Sequence, residues 1–285
     1  MASKYNIDYL KLKSRSSLEI LDAFYQKVKP VIADAYAAVK QLPWANGLSK
    51  LLNPEISMRE ISEFFQLLWL NVVVQKRNFV EYVKVIFNHY RNLSFATIDF
   101  SVILMYFFHN PFKISKRFLM KKKEKDVYVY GETPLTSLEK IVKECGISQQ
   151  DTVFELGCGR GRSCFWLHSF VGCKVVGIEF VPDFVERAER IRKKLAVKEM
   201  KFLLQNMLEA DFSGGTVFYL YGTCYDAEFI KALIKKFKKM PLGTKIITVS
   251  YPLTDFTKEP IFEVMKRFPV TFTWGEGDVY LHIRK

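Results

Sequence analysis

The chain has 285 residues, 49% of them apolar and 15% aromatic against 26% charged. That supports a sizeable core and excludes disordered, collagen-like and linker-dominated architectures. Lysine and arginine outnumber aspartate and glutamate by 43 to 30, a net charge of +13. Such a balance draws a protein toward acidic partners: nucleic acid, an anionic membrane face, an acidic protein or a phosphorylated substrate. Cysteines stand at 145, 158, 164, 173 and 224 without a C-x-x-C pair, and the four histidines are scattered. Neither a disulfide framework nor a metal site is expected, and a reducing, cytoplasmic setting is the default. Residues 1–17 hold no continuous apolar stretch, so no secretory signal is expected there.

From about residue 15 to 120 the apolar spacing is helical. Leu18, Leu21, Phe24, Tyr25 and Val28 share one face before a break at Pro30, and Ile61, Phe64, Phe65, Leu68 and Trp69 repeat the pattern. Asn53-Pro54 and Asn110-Pro111 read as turns or helix starts. Residues 93–108 are apolar except for polar positions and Asp99. They fall short of the roughly 20 residues needed to span a bilayer. A buried core helix is expected, with a helix lying on a membrane as the alternative. Lys113, Lys116, Arg117, Lys121, Lys122, Lys123 and Lys125 then face a single acid, Glu124. This 113–125 run would suit peripheral contact with an anionic lipid surface. The basic clusters at 187–201 and 231–239 have helical spacing and read as solvated faces.

From about residue 130 strands alternate with helices. Thr133-Pro134 reads as an N-cap and first-turn proline opening a helix through Glu144, with Gly146 beyond it. Strands are expected at 153–156, 174–178, 202–204, 217–221 and 245–249, with helices from Arg162, from Pro182 to Leu195 and from Ala227 to Lys239. Residues 270–274 and 278–283 read as a hairpin joined by Gly275-Glu276-Gly277. Alternation of this kind implies a parallel sheet between helices with an antiparallel edge.

The chemistry concentrates where the first strand ends, in Glu155-Leu156-Gly157-Cys158-Gly159-Arg160-Gly161-Arg162-Ser163. Alternate glycines between strand and helix allow a sharp turn and close approach of a ligand, and the helix start offers N–H groups to an anion. Glu179, at the tip of the second strand, is placed to accept from ribose hydroxyls. Glu155 would repel a pyrophosphate and attract an α-amino group or a sulfonium. A nicotinamide or flavin cofactor is the alternative. Cys158 reads as a small filler, since no base stands near it in sequence.

Glu155 to Gly161 and Gly177-Ile178-Glu179 resemble the glycine and second-strand acidic motifs of class I S-adenosylmethionine-dependent methyltransferases, over about residues 128 to 285. The resemblance implies an α/β fold: a Rossmann-like, seven-stranded, mostly parallel sheet with an antiparallel last strand, preceded by an α-helical N-terminal region. The expected division is 1–126 and 127–285. By the same resemblance Gln205-Asn206-Met207 would flank the adenine. Val129-Tyr130-Gly131-Glu132-Thr133 and Ile247 to Pro252 are similar to segments of telomeric-silencing-disruptor-type protein lysine methyltransferases. Those enzymes carry an asparagine after the fourth strand, where this chain has Tyr221-Gly222-Thr223-Cys224.

The resemblance implies S-adenosyl-L-methionine as cofactor, no metal, and a nitrogen acceptor, first a protein lysine. Candidate cofactor residues are Glu132, Thr133, Glu155, Gly157, Gly159, Gly161, Ser163, Glu179, Asn206 and Met207. Candidate catalytic residues are Tyr221, Thr223 and Glu132, with Tyr130, Tyr221 and Tyr251 expected to form an aromatic channel for the acceptor. The acceptor carrier is a protein or other molecule, acidic in character given the net charge. Alternatives are a small-molecule, lipid or RNA methyltransferase, or a non-catalytic cofactor-binding module at a membrane or nucleic acid.

Overall fold

A computed structural model describes residues 58–124, 126, 130–223 and 225–285. The helical repeats around Leu18, the Pro30 break, the Asn53-Pro54 turn and the side chains of Ile61, Phe64, Phe65 and Leu68 lie outside the described residues. The chain divides into two compact units, residues 1–76 and 77–285. Within the first, the described backbone is the opening part of helix α1 (Met58–His89). Within the second, the rest of α1 is followed by α2 (Leu93–Met105), α3 (Pro111–Lys122) and the whole sheet. Residues 77–122 thus share one compact unit with the strands.

The seven strands are β1 (Thr152–Leu156), β2 (Lys174–Glu179), β3 (Met200–Leu204), β4 (Val217–Leu220), β5 (Lys245–Val249), β6 (Phe262–Phe272) and β7 (Gly275–Arg284). They lie in the order β3-β2-β1-β4-β5-β7-β6. β1 to β5 pair in parallel, and β7 runs antiparallel to both β5 and β6. This is the Rossmann-like sheet with a reversed final strand. The central strands are buried on both faces, which is why they read as apolar runs rather than alternations. Helices α4 (Leu135–Cys145), α5 (Arg162–Trp166), α6 (Pro182–Lys194) and α7 (Ala227–Phe237) alternate with the strands. Chain order reverses at β1, which has β2 on one side and β4 on the other. Ligands of such sheets bind outside the carboxyl ends of the strands at this switch point.

Several elements differ from the sequence reading. Pro134, not Thr133, is the N-cap of α4; the Thr133 hydroxyl instead pairs with the Tyr219 hydroxyl at 2.6 Å. The terminal hairpin is longer than expected and turns at Thr273 and Trp274, because Gly275 to Gly277 continue β7 opposite Phe272 to Val270. Much of β6 is a solvated edge carrying Glu263, Lys266 and Arg267, so it gave no apolar signal. α5 passes into a π-helical turn (Leu167–Val171), and α7 ends at Phe237 before its last lysines.

The expectation of a buried helix over 93–108 needs correction. α2 buries only one stripe, Phe95, Ile98, Asp99 and Val102, spaced as a single helical face. Leu93, Phe100 and Leu104 on the same helix are exposed. The charge inside the buried stripe has a reason. Asp99 accepts from both Nε and a terminal nitrogen of Arg162, at 2.6 and 2.8 Å, and from the Tyr90 hydroxyl at 2.9 Å. Glu81 on α1 similarly docks on α4, accepting from the Thr136 N–H and hydroxyl at 3.0 and 2.6 Å. Among the described residues, no helix is long and apolar enough to cross a membrane.

Removing one partner of a buried ion pair strands the other charge, typically at about 3–5 kcal/mol. Asp99→Ala should therefore lower urea-unfolding stability by about that amount. Phe100→Ala, on the exposed face next door, should change it by less than about 0.5 kcal/mol.

Candidate functional site

β1 runs straight into the glycine loop. Gly157 and Gly161 adopt φ of 84° and 75°, a left-handed conformation that glycine enters without strain. The two serve different ends. A Cβ on Gly157 would sit 3.6 Å from the Met207 methyl and the Tyr225 hydroxyl, at the wall of the site. A Cβ on Gly161 would collide with the Phe202 ring at 2.5 Å, so this glycine lets α5 close on β3. The Gly157 and Cys158 N–H groups donate to the Ile178 carbonyl, binding the loop to β2.

Glu179, the last residue of β2, holds the loop from that side. Its Oε2 accepts from the Gly159 N–H at 2.8 Å, and Oε1 accepts from the Phe180 and Val181 N–H groups at 2.7 and 2.8 Å. Burial pushes its pKa above the ordinary carboxylate value, with the backbone donors pulling the other way.

Beside the loop lies a pocket lined by Gly131, Glu132, Thr133, Glu155, Gly157, Cys158, Arg162, Ser163 and Tyr221. Glu155 is buried and accepts from the Ser163 hydroxyl at 2.5 Å and the Cys164 thiol at 2.9 Å. Burial raises its pKa to about 7 despite those two donors. Glu132 has the opposite balance. Burial alone would raise its pKa, but the Arg160 fork at 2.5 and 2.6 Å and the Tyr130 hydroxyl hold it below the usual value. The Tyr221 hydroxyl accepts from the Trp274 indole N–H at 2.7 Å, and its ring packs against Phe272.

Six of the expected site residues therefore meet at one pocket: Glu132, Thr133, Glu155, Gly157, Ser163 and Tyr221. Gly159 and Glu179 brace the loop beside it, and Met207 lies over Gly157. Asn206 uses its side-chain oxygen to cap the turn after β3, accepting from the Leu208 N–H at 3.0 Å. Thr223 falls in the turn after β4, outside the pocket lining. Of the three tyrosines expected in a channel, only Tyr221 lines the pocket. Tyr130 packs on Phe184 and beside Gly159, while Tyr251 donates to the Gly222 carbonyl. Cys158 lines the pocket, and the neighbouring Cys164 thiol is pushed well above its usual pKa by burial.

Arg160, Arg162, Asp99 and Trp274 shape the site without being among the candidate site residues of the sequence. A lone aspartate in an apolar run, with two arginines in the glycine loop, was the available signal. Among the described residues no cluster of acidic, histidine or cysteine side chains is arranged to hold a metal ion.

The pocket fits the cofactor implied by the motifs. Glu132 and Glu155 give it carboxyl oxygens that can accept from the ammonium of an amino-acid end or face a sulfonium. Glu179 Oε2 accepts one backbone N–H and keeps lone-pair capacity for a ribose hydroxyl.

A carboxyl whose folded pKa lies above its unfolded value binds extra protons in the native state. For Glu155 that means stability is highest below about pH 4.5 and falls as pH rises through about 7. The full span amounts to about 3 kcal/mol. Glu155→Gln should remove this slope when unfolding is measured by urea across that range.

A family model described as a methyltransferase domain matches residues 147–252. The chain is 31% identical over 155 residues to a histone-lysine N-methyltransferase, H3 lysine-79 specific, of Dictyostelium discoideum, a match covering 49% of this chain and 8% of that protein. It is 24% identical over 137 residues to a protein-lysine N-methyltransferase of Saccharolobus islandicus, covering 47% of this chain and 84% of that one. The chain therefore spans only a small part of the first relative's length. Among solved structures it is similar to an RNA methyltransferase from Salinibacter ruber in complex with S-adenosyl-L-homocysteine, at 22% identity and a TM-score of 0.45, covering 54% of this chain and 93% of that one. Residues 147–252, which carry the glycine loop and the strand-tip Glu179, match a methyltransferase domain, and the sheet they help to form has the Rossmann-like order with a reversed β7.

Proposed function

We propose that the protein transfers a methyl group from S-adenosylmethionine to a nitrogen nucleophile, the ε-amino group of a protein lysine. The observation that carries this reading is the pocket where Tyr221 meets Glu132 and Glu155 at the glycine loop. The two relatives whose names specify protein lysine favour the same acceptor. S-adenosylmethionine, when bound, supplies a methyl group on a sulfonium leaving group, so the protein's task is alignment and exclusion of water.

In this reading Glu179 holds the ribose, Glu155 and Glu132 face the cationic amino-acid end, and Asn206 and Met207 flank the adenine. Gly159 serves by delivering its N–H to Glu179, and Gly161 by letting α5 close behind the loop. Thr133 fixes the 131–133 segment to β4 through the Tyr219 hydroxyl.

A lysine attacks only when neutral, so its site must favour loss of the ammonium proton. Desolvation does this. The Tyr221 ring, backed by Phe272 and pinned by the Trp274 indole, offers the apolar wall for that step. The net charge of +13 favours an acidic protein as carrier of the acceptor. The buried, unpaired thiols of Cys145, Cys158, Cys164 and Cys173 favour a reducing, cytoplasmic setting.

Incubating the protein with methyl-labelled S-adenosylmethionine and fractionated cell extract should place label on protein, and mass spectrometry should locate it on lysine Nε. Label on RNA, lipid or a small molecule, with none on lysine, would overturn the acceptor assignment while leaving the methyltransferase assignment standing.

A further inference from the structure

The turn between α2 and α3 exposes aromatic side chains that no core contact explains. Phe107 and Phe108 are 70% and 87% exposed, and their rings meet each other at 4.9 Å in a T-shaped pair. Leu104, before the turn, and Phe112, after it, are also exposed. In the 130–285 part of the chain large apolar side chains surface singly, apart from Val264 and Met265 on the edge strand, whereas α1 also exposes Trp69, Leu70, Phe79, Ile86 and Phe87. A clustered apolar patch on a folded protein marks an interaction surface.

The charge beside this patch names the partner. From Phe100 to Lys123 the sequence has no carboxylate, and six basic residues follow the turn: Lys113, Lys116, Arg117, Lys121, Lys122 and Lys123. Lys113, Arg117, Lys121, Lys122 and Lys123 are exposed on α3 and its end. Aromatic residues that insert, next to cations that remain in water, match the two layers of an anionic bilayer surface. An acidic protein groove would meet the lysines but would leave a protruding aromatic pair without its apolar layer.

We infer that the α2–α3 turn and α3 form a docking surface for an anionic lipid bilayer, with Phe107 and Phe108 entering the headgroup region and the α3 lysines facing the lipid phosphates. The surface adjoins the cofactor pocket. Phe112 meets Tyr130 edge-on at 5.0 Å, and Tyr130 donates to Glu132 in the pocket lining. Docking would thus hold the pocket side of the domain at the bilayer. This inference does not rest on the methyl acceptor being lysine.

The test is flotation of the full chain with phosphatidylcholine vesicles, with and without phosphatidylserine, at low and high salt. The protein should float with phosphatidylserine vesicles at low salt, and not with phosphatidylcholine alone. Phe107→Ser with Phe108→Ser should abolish flotation. Lys121→Gln, Lys122→Gln and Lys123→Gln together should weaken it about a hundredfold, at about 1 kcal/mol per lysine. Every substituted side chain is exposed, so urea-unfolding midpoints should match the parent. Lys235→Gln with Lys239→Gln, on the other basic cluster, should leave flotation unchanged. The inference is overturned if the full chain fails to float with phosphatidylserine at low salt or floats equally on phosphatidylcholine. It is also overturned if the phenylalanine pair proves dispensable or the Lys235 and Lys239 variant loses as much binding as the α3 variant.

Discussion

Four carboxylates from four different segments grip the short glycine loop and the start of α5, and the geometry of the site follows from that grip. Glu179 at the end of β2 takes the Gly159 N–H. Glu132, ahead of α4, takes the Arg160 guanidinium. Asp99 on α2 takes Arg162, and Glu155 within β1 takes the Ser163 hydroxyl. Burying a carboxylate without a partner would cost several kcal/mol, so each of these contacts is satisfied within the fold. Moving the loop or the start of α5 would break at least one of these contacts.

The same arrangement explains why helices upstream of the sheet belong to its compact unit. Asp99 and Glu81 reach from α2 and α1 to Arg162 and Thr136. Arg162 also lines the pocket, so α2 bears on the cofactor site through an ion pair rather than through a ligand contact. Among the carboxylates the electrostatics diverge. Arg160 keeps Glu132 ionised, while Glu155 has only neutral donors and sits near pKa 7. One pocket thus holds a fixed anion and an acid that titrates near neutrality. A cation entering beside Glu155 would shift that balance toward the carboxylate.

The strands were legible in the sequence because the buried centre of a parallel sheet is written as unbroken apolar runs such as Val153 to Leu156. The glycine loop was legible because its spacing is tied to a strand before it and an acidic strand tip after it. The edges were not. β6 alternates charge with apolar residues on a solvated face, so its first half, from Phe262, passed unnoticed and the turn was placed two residues late. Thr133 looked like a helix cap because the local rule for Thr-Pro is strong, yet tertiary contact with Tyr219 captured its hydroxyl. Residues 93–108 read as a core helix because apolar content says how much surface wants cover, while only three-dimensional packing says which face receives it. Asp99 was visible from the start as a charge that broke a membrane span. Its partner, Arg162, lies 63 residues away and could not be read from local pattern.

The central claim is that this carboxylate-held glycine loop is an S-adenosylmethionine site, and thermal unfolding in the presence of candidate ligands tests it most directly. S-adenosylhomocysteine at 100 times its dissociation constant should stabilise the native chain by about 2.7 kcal/mol and raise its melting temperature accordingly. NAD at the same concentration should leave the melting temperature unchanged. A shift with NAD and none with S-adenosylhomocysteine would contradict the assignment.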